Sequence, residues 1–277
     1  MTYKALYQWG CEKLQEAVIE EAVLDARLLL EEACGTDRSY LLVHGDHPVD
    51  EQQQDCYVNY IEQRSKHIPL QHIVGYQDFM GLRFKVSPDV LIPRQDTEIL
   101  VEEVMRILHD GMHILDMCTG SGCILLSLLR YSNDCVGVGA DISEKALAIA
   151  RENGEALGLE AEWVCSNLFE KIEGKYEVIV SNPPYIPSGV IPTLTEEVKE
   201  HDPMLALDGK EDGLFFYREI IAQAEECLYP GGMLFFEIGH DQAEAVSHYM
   251  QDAGYKEVTV FKDLAGLDRV VSGRFGG

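Results

Sequence analysis

The chain has 277 residues, 46% of them hydrophobic and 25% charged, which leaves room for one large domain or two unequal ones. Lys plus Arg number 22 and Asp plus Glu 48, a balance of −26 that repels a polyanion at long range and disfavours a phosphate-neutralising grip on nucleic acid. No stretch approaches the roughly 18 apolar residues of a membrane span, and the acidic N-terminus lacks a signal peptide's apolar core. The eight cysteines are scattered without a CxxC, so buried free thiols in a cytoplasmic protein are expected, with a small substrate or a basic protein as partner. No metal cluster is expected.

Apolar residues recur at helical spacing over 3–19, 21–34 and 50–67, punctuated by Gly35, Gly45–Pro48 and Pro69. This reads as a small helical domain over residues 1–76. A hairpin linker (77–95) follows, with FMGLRFKVSP (79–88) as the hairpin, and the rest (96–277) forms the larger domain. A helix is predicted over Asp96–His109, opened by the capping-box pattern Asp96-Thr97-Glu98. From residue 112 strand and helix alternate. Strands are predicted at 113–118, 135–141, 161–166, 177–182, 233–238 and 258–263, with a weaker last one at 267–272. Helices are predicted at 124–130, 144–157, 214–228 and 242–253. Near-continuous apolar strands between helices predict an α/β fold built on a parallel sheet. Such sheets bind ligands beyond the carboxyl ends of their strands, where strand order reverses.

The first βα junction, Asp116-Met117-Cys118-Thr119-Gly120-Ser121-Gly122, brings a strand into a glycine-bearing turn that a ligand can approach closely. Asp141 ends the next strand nineteen residues after Gly122, where a carboxylate can accept the hydroxyls of a ribose. A dinucleotide would want a third glycine at 125, which is Leu, and Asp116 would repel phosphate. A carboxylate near the loop suits a cationic ligand such as S-adenosylmethionine; an ordinary βα turn with a solvated Asp is the plainer alternative.

The most specific signal is Ser181-Asn182-Pro183-Pro184-Tyr185 at the end of a buried strand. Neither proline offers an N–H, and both fix φ, so the Pro183 carbonyl is held rigidly beside the Asn182 side-chain oxygen. Two such acceptors bind the two hydrogens of one planar –NH2 group, and Tyr185 can pack against its plane. An amide or aromatic amine nitrogen is a poor nucleophile. Acceptors on both of its N–H groups stabilise the positive charge that grows as it attacks a sulfonium methyl.

These segments, with Leu91-Ile92-Pro93-Arg94-Gln95-Asp96-Thr97-Glu98, Glu197-Val198, Asp202-Pro203, Ala206-Leu207 and Asp212-Gly213-Leu214, resemble the peptide chain release factor glutamine N5-methyltransferases (PrmC/HemK family) over essentially the whole chain. The resemblance implies a Rossmann-like class I methyltransferase sheet behind a small helical N-terminal domain that helps dock the substrate. It implies S-adenosylmethionine as methyl donor and the glutamine of the Gly-Gly-Gln motif of class I release factors as acceptor. By the same resemblance the cofactor loop falls on Cys118, Thr119, Gly120, Ser121 and Gly122, the ribose carboxylate on Asp141, and the adenine neighbour on Leu168 after Asn167. Asn182 would touch cofactor and substrate, residues 182–185 would form the glutamine site, and Asn182, Pro183 and Tyr185 would be catalytic. Two positions depart from the family pattern. Cys118 replaces a usual Gly and must take φ < 0 or accept strain; Asn167 stands where Asp is common. Adenine in nucleic acid also presents an –NH2, so an adenine N6-methyltransferase is the competing enzyme reading, and a silent binding module the non-enzymatic one. A monomer is expected. Arg94 is read as closing over the cofactor or as a surface ion pair, Glu197 as a channel residue or a solvated helix face, and 182–213 as a lid.

Overall fold

The computed structural model describes residues 1–276. The chain divides into two compact units: one holds Met1–Tyr76 and Thr195–His201, the other Gln77–Leu194 and the chain from Asp202 onward.

The first unit contains five N-terminal helices: α1 (Tyr3–Glu16), α2 (Ala22–Cys34), α3 (Arg38–His44), α4 (Glu51–Arg64) and α5 (Leu70–Val74). The sequence periodicity gave no sign of α3 or α5, which are too short to show a repeat. Side-chain caps start three helices. Thr2 Oγ1 accepts from the Ala5 N–H (3.2 Å), Asp37 Oδ1 from Tyr40 (2.7 Å) and Asp50 Oδ1 from Gln52 (2.9 Å). Leu6, Leu14, Leu29, Leu30, Tyr57 and Ile61 form the core, and the Tyr57 hydroxyl donates to the Ala26 carbonyl (3.0 Å). Arg64 is buried against Asp25 (Nε to Oδ2, 2.7 Å) and also pairs with Glu197 of the 195–201 segment. Glu197 is thus an ion-pair partner inside this unit, with its side chain partly exposed. Of the stretch 182–213, Thr195–His201 groups with the helical unit and the rest with the second unit.

The second unit opens with a hairpin, β1 (Tyr76–Phe79) and β2 (Leu82–Lys85), three residues earlier than the sequence suggested. Met80 (φ 50°) and Gly81 (φ 71°) make its two-residue turn, both left-handed as a type I′ turn requires. Then follow α6 (Asp96–Met105), β3 (His113–Met117), α7 (Cys123–Tyr131), β4 (Val136–Asp141), α8 (Glu144–Leu157), β5 (Glu162–Cys165), β6 (Tyr176–Ser181), α9 (Glu196–His201, which belongs to the first unit), α10 (Met204–Leu207), α11 (Phe215–Ala224), β7 (Leu228–Glu237), α12 (Ala243–Asp252), β8 (Lys256–Lys262) and β9 (Asp268–Arg274). The capping box expected at Asp96 does not form. Gln95 is the N-cap without a side-chain bond, and Glu98 instead accepts from the Met80 N–H in the hairpin turn (2.6 Å).

The seven-stranded sheet has the order β5-β4-β3-β6-β7-β9-β8. The first five strands are parallel; β9 runs antiparallel to both neighbours, so the sheet is mixed rather than wholly parallel. The short turn between β8 and β9 has no room for a crossover helix, which makes the antiparallel pairing the accessible one. Side chains alternate across the sheet. Leu115, Ile179, Leu234 and Phe236 face one core with α11 and α12, while Ile114, Val178, Val180 and Phe235 face the other with α6 and α7. Chain order reverses between β3 and β6, whose last residues, Met117 and Ser181, are register partners, and Ser181 Oγ donates to the Met117 carbonyl (2.6 Å). That places the two sequence motifs side by side at the sheet's switch point.

Candidate active site

The loop after β3 is folded by hydrogen bonds the sequence pattern only hinted at. Thr119 Oγ1 donates to Asp116 Oδ2 (2.6 Å), and the Thr119 N–H reaches across to the Ala140 carbonyl at the end of β4 (3.0 Å). Asp116 is fully buried and does not line the cavity above it, so it is placed beneath the loop rather than against a ligand. Burial, reinforced by the nearby Asp141 charge and offset by the Thr119 bond, pushes its pKa up to about 7. Cys118 lies at φ 64°: it accepts the left-handed strain, of about 1–3 kcal/mol for a residue with a Cβ, rather than escaping to φ < 0. Burial also pushes its thiol well above the usual range.

Gly120 sits at φ 55°, and a side chain built on it would meet nothing within 4 Å, so this part of the backbone faces open space. Its N–H donates to Asp141 Oδ2 (2.9 Å), while Asp141 Oδ1 accepts from Ser143 (2.9 Å). The carboxylate is thereby fixed with lone pairs to spare. Burial raises its pKa and these backbone donors pull it back. Gly122 differs: it caps α7 at φ 78°, and a Cβ there would collide with the Trp163 ring at 2.9 Å.

One cavity of about 570 Å³ connects the pieces. Cys118, Thr119, Gly120, Ser121 and Asp141 form one wall. Ser166, Asn167 and Leu168 lie at one side, Arg94, Thr97, Asn182 and Pro184 at another. Gly122, Pro183 and Tyr185 do not reach the wall. Leu168 is left-handed (φ 47°), with its carbonyl held by Ser166 Oγ (2.7 Å), and the Asn167 amide donates to Glu170 (2.7 Å). Arg94 borders the cavity and its half-exposed guanidinium pairs with the buried Asp202 carboxylate (2.7 Å).

At the tip of β6, Pro183 and Pro184 are buried, and among the described residues no N–H or hydroxyl donates to the Pro183 carbonyl. The Tyr185 carbonyl accepts from Gln242 Nε2 (3.0 Å) and its hydroxyl donates to Glu237 Oε1 (3.3 Å). Its ring therefore packs into the core on the α11 side. Asn182 Nδ2 donates to Thr97 Oγ1 (3.4 Å). Thr97 and Glu237 carried no signal in the sequence reading, which took Thr97 for part of a cap. Among the described residues, no group of three His, Cys, Asp or Glu side chains is placed to hold a metal ion.

Comparisons with known proteins agree on one family. Residues 5–75 match the model of the PrmC N-terminal domain and 94–200 that of the methyltransferase small domain. The chain is 40% identical to the release factor glutamine methyltransferase of Geobacter sulfurreducens, over 99% of this chain and 97% of that protein. It is also 40% identical to the enzyme of the same name from Clostridium acetobutylicum, over 95% of each. Among solved structures it resembles a methyltransferase from Pyrococcus furiosus, with TM-score 0.55 and 18% identity over 71% of this chain and 90% of that one, a likeness of fold.

Proposed function

The chain belongs to the release factor glutamine methyltransferase family, and from that premise we propose that it methylates the side-chain amide nitrogen (N5) of the Gly-Gly-Gln glutamine of class I peptide chain release factors. The observation that carries this reading is the single cavity running from the Asp141 carboxylate to the Asn182 amide, which can hold a methyl donor and a carboxamide together. The residues present fit S-adenosylmethionine. Gly120 leaves its backbone open to a ligand, and Asp141 is fixed with spare lone pairs for ribose hydroxyls. Ser166, Asn167 and Leu168 border the space expected for the adenine. When bound, S-adenosylmethionine supplies a methyl group activated by a sulfonium charge.

This chain's residues do the rest by binding and orientation. Asn182, which lines the cavity, accepts one N–H of the glutamine amide through Oδ1 and so stabilises the charge that grows on nitrogen as its lone pair leaves conjugation. The Pro183 carbonyl, to which no group among the described residues donates, is the second acceptor in this reading and would have to be uncovered as substrate enters, since Pro183 does not line the cavity. The two prolines keep these acceptors from relaxing away from the reacting nitrogen. Ser181 Oγ donates to the Met117 carbonyl, which joins the end of β6 to the end of β3 just before the Cys118–Gly122 loop. Alignment of nucleophile and methyl then accounts for much of the acceleration. This reading places the reaction in the cytoplasm. Among the described residues no helix is long and apolar enough to cross a membrane.

The test is incubation with methyl-labelled S-adenosylmethionine and either a release factor or adenine-containing DNA, followed by mass spectrometry of the modified residue. A methyl group on the glutamine side chain is expected. Label on DNA alone would replace this reading by the adenine N6-methyltransferase.

A further inference from the structure

Two prolines stiffen the tip of β6 but supply no N–H by which to anchor it. Part of the hold on it comes from behind, where the chain leaves Tyr185. There the backbone pairs with the segment after α10. The Ile186 N–H donates to the Leu207 carbonyl (3.0 Å), and the Gly209 N–H to the Ile186 carbonyl (2.9 Å). The Tyr185 carbonyl is taken instead by a side chain, the amide of Gln242 at the N-cap of α12.

Gln242 is buried, and both ends of its amide are engaged. Nε2 donates to the Tyr185 carbonyl (3.0 Å) and to the Gly213 carbonyl (3.3 Å). Oε1 accepts from the Gly239 N–H (2.9 Å), in the turn between β7 and α12. A reversed amide would set its oxygen against two carbonyls and its –NH2 against an N–H, so these partners fix which way round it stands. One side chain thus joins three segments that lie far apart in sequence. Two glycines leave no slack around the joint. Gly213 lies at φ 74°, and a Cβ there would stand 2.4 Å from the Tyr185 carbonyl oxygen and 2.9 Å from Gln242 Nε2. A Cβ on Gly209 would come within 2.8 Å of Tyr185 Cα.

We propose, on the premise of the methyl transfer above, that Gln242 is a positioning residue: by holding the Tyr185 carbonyl against the Gly209–Gly213 loop, it aims Asn182 at the reacting nitrogen. Gln242 lines no part of the cavity and touches neither donor nor acceptor in that scheme. Its influence runs through the chain. Only Pro183 and Pro184 separate Tyr185 from Asn182, and their φ angles are locked, so a displacement at Tyr185 is passed along rather than absorbed. A misplacement of about 1 Å at a reacting centre costs on the order of a hundredfold in rate.

The experiment uses the full-length wild type and the Gln242→Met, Gly213→Ala and doubly substituted variants. It measures the single-turnover rate of methyl transfer to a whole release factor, the release-factor concentration giving half that rate, and the cofactor dissociation constant. Rates are taken per cofactor-binding site, so that unfolded protein does not count. Gln242→Met, of similar length without the amide, should slow transfer by about tenfold or more. Both binding constants should stay within about threefold, as for a contribution felt only in the transition state. Gly213→Ala pushes on the same carbonyl with Gln242 intact and should behave alike. Because both act through one displacement, the double variant should lose about as much as the worse single one, not the product of the two. An undiminished rate in Gln242→Met overturns the proposal. So do binding constants that weaken in parallel with the rate, which would mark a general loosening, or losses that multiply in the double variant. Should Gln242→Met fail to fold, Gln242→Glu, which keeps an oxygen for Gly239 and removes the two donors, is read in its place. A wild type that leaves glutamine unmethylated removes the functional reading itself, and this proposal with it, whatever the variants do.

Discussion

Asp116 and Glu237 are near twins in position and opposites in employment. Each is a buried carboxylate on a parallel strand of the sheet, each is shifted by burial to about 7, and each accepts a side-chain hydroxyl, from Thr119 and Tyr185 respectively. Thr119 turns down onto Asp116 and closes the loop over it, so that carboxylate shapes the backbone and faces no ligand. Glu237 takes its hydrogen bond from the Tyr185 hydroxyl (3.3 Å), so that carboxylate holds the Asn-Pro-Pro-Tyr tip of β6. Identical chemistry serves the loop after β3 in one place and the tip of β6 in the other.

The comparison can be broken most forcefully at Asn182. Asn182→Ala should cost two to three orders of magnitude in turnover, about 3–4 kcal/mol for a lost transition-state acceptor, while the cofactor dissociation constant stays within about tenfold. Calorimetric titration beside single-turnover assays would separate the two; undiminished turnover removes the acceptor from the scheme. On the loop side the penalty should fall on binding instead. Asp141→Ala should weaken cofactor affinity by about 1.5–3 kcal/mol, read by the same titration, and equal constants for variant and parent would refute the ribose assignment. Thr119→Val should lower unfolding stability by about 1–3 kcal/mol in a denaturant melt, because it strips a buried carboxylate of its donor. A melt identical to the wild type would mean that Asp116 does not depend on Thr119.

The two carboxylates also share a pH slope. Both carboxylates hold their protons in the folded state up to about pH 7 but release them near pH 4 when unfolded, so between these values the folded state binds more protons. Their contribution to stability is complete below about pH 4 and fades as pH rises toward 7. Asp116→Asn should remove part of that slope, seen as a melting temperature that falls less across the window; an unaltered slope would acquit Asp116.

How much of this was legible beforehand depends on distance along the chain. Strand β6 and its Asn-Pro-Pro-Tyr tip, the loop at Cys118–Gly122 and helix α8 announce themselves through contiguous residues, and local sterics carry them. Thr97 and Glu237 do not, since Thr97 meets Asn182 and Glu237 meets Tyr185 only after α6, β6 and β7 have assembled, and nothing near either in sequence marks the partner. The Asp96-Thr97-Glu98 pattern even misled: it has the composition of a helix cap, yet Glu98 serves the hairpin turn and Thr97 the site. Short α3 and α5 escaped because a helix of five or seven residues is shorter than the window that reveals a period. The mixed sheet escaped because alternation of strand and helix says nothing about the direction of a final strand.

The helical unit has its own delayed component. Arg64, buried against Asp25, meets its second counter-charge in Glu197, which the ribosome adds only after the β6 tip has been made. During synthesis the first five helices therefore wait with Arg64 paired to Asp25 but with its Nη2 lacking the Glu197 acceptor. A fragment ending at the hairpin would never gain that acceptor, so this unit is a poor candidate for study by excision even though its helices come first.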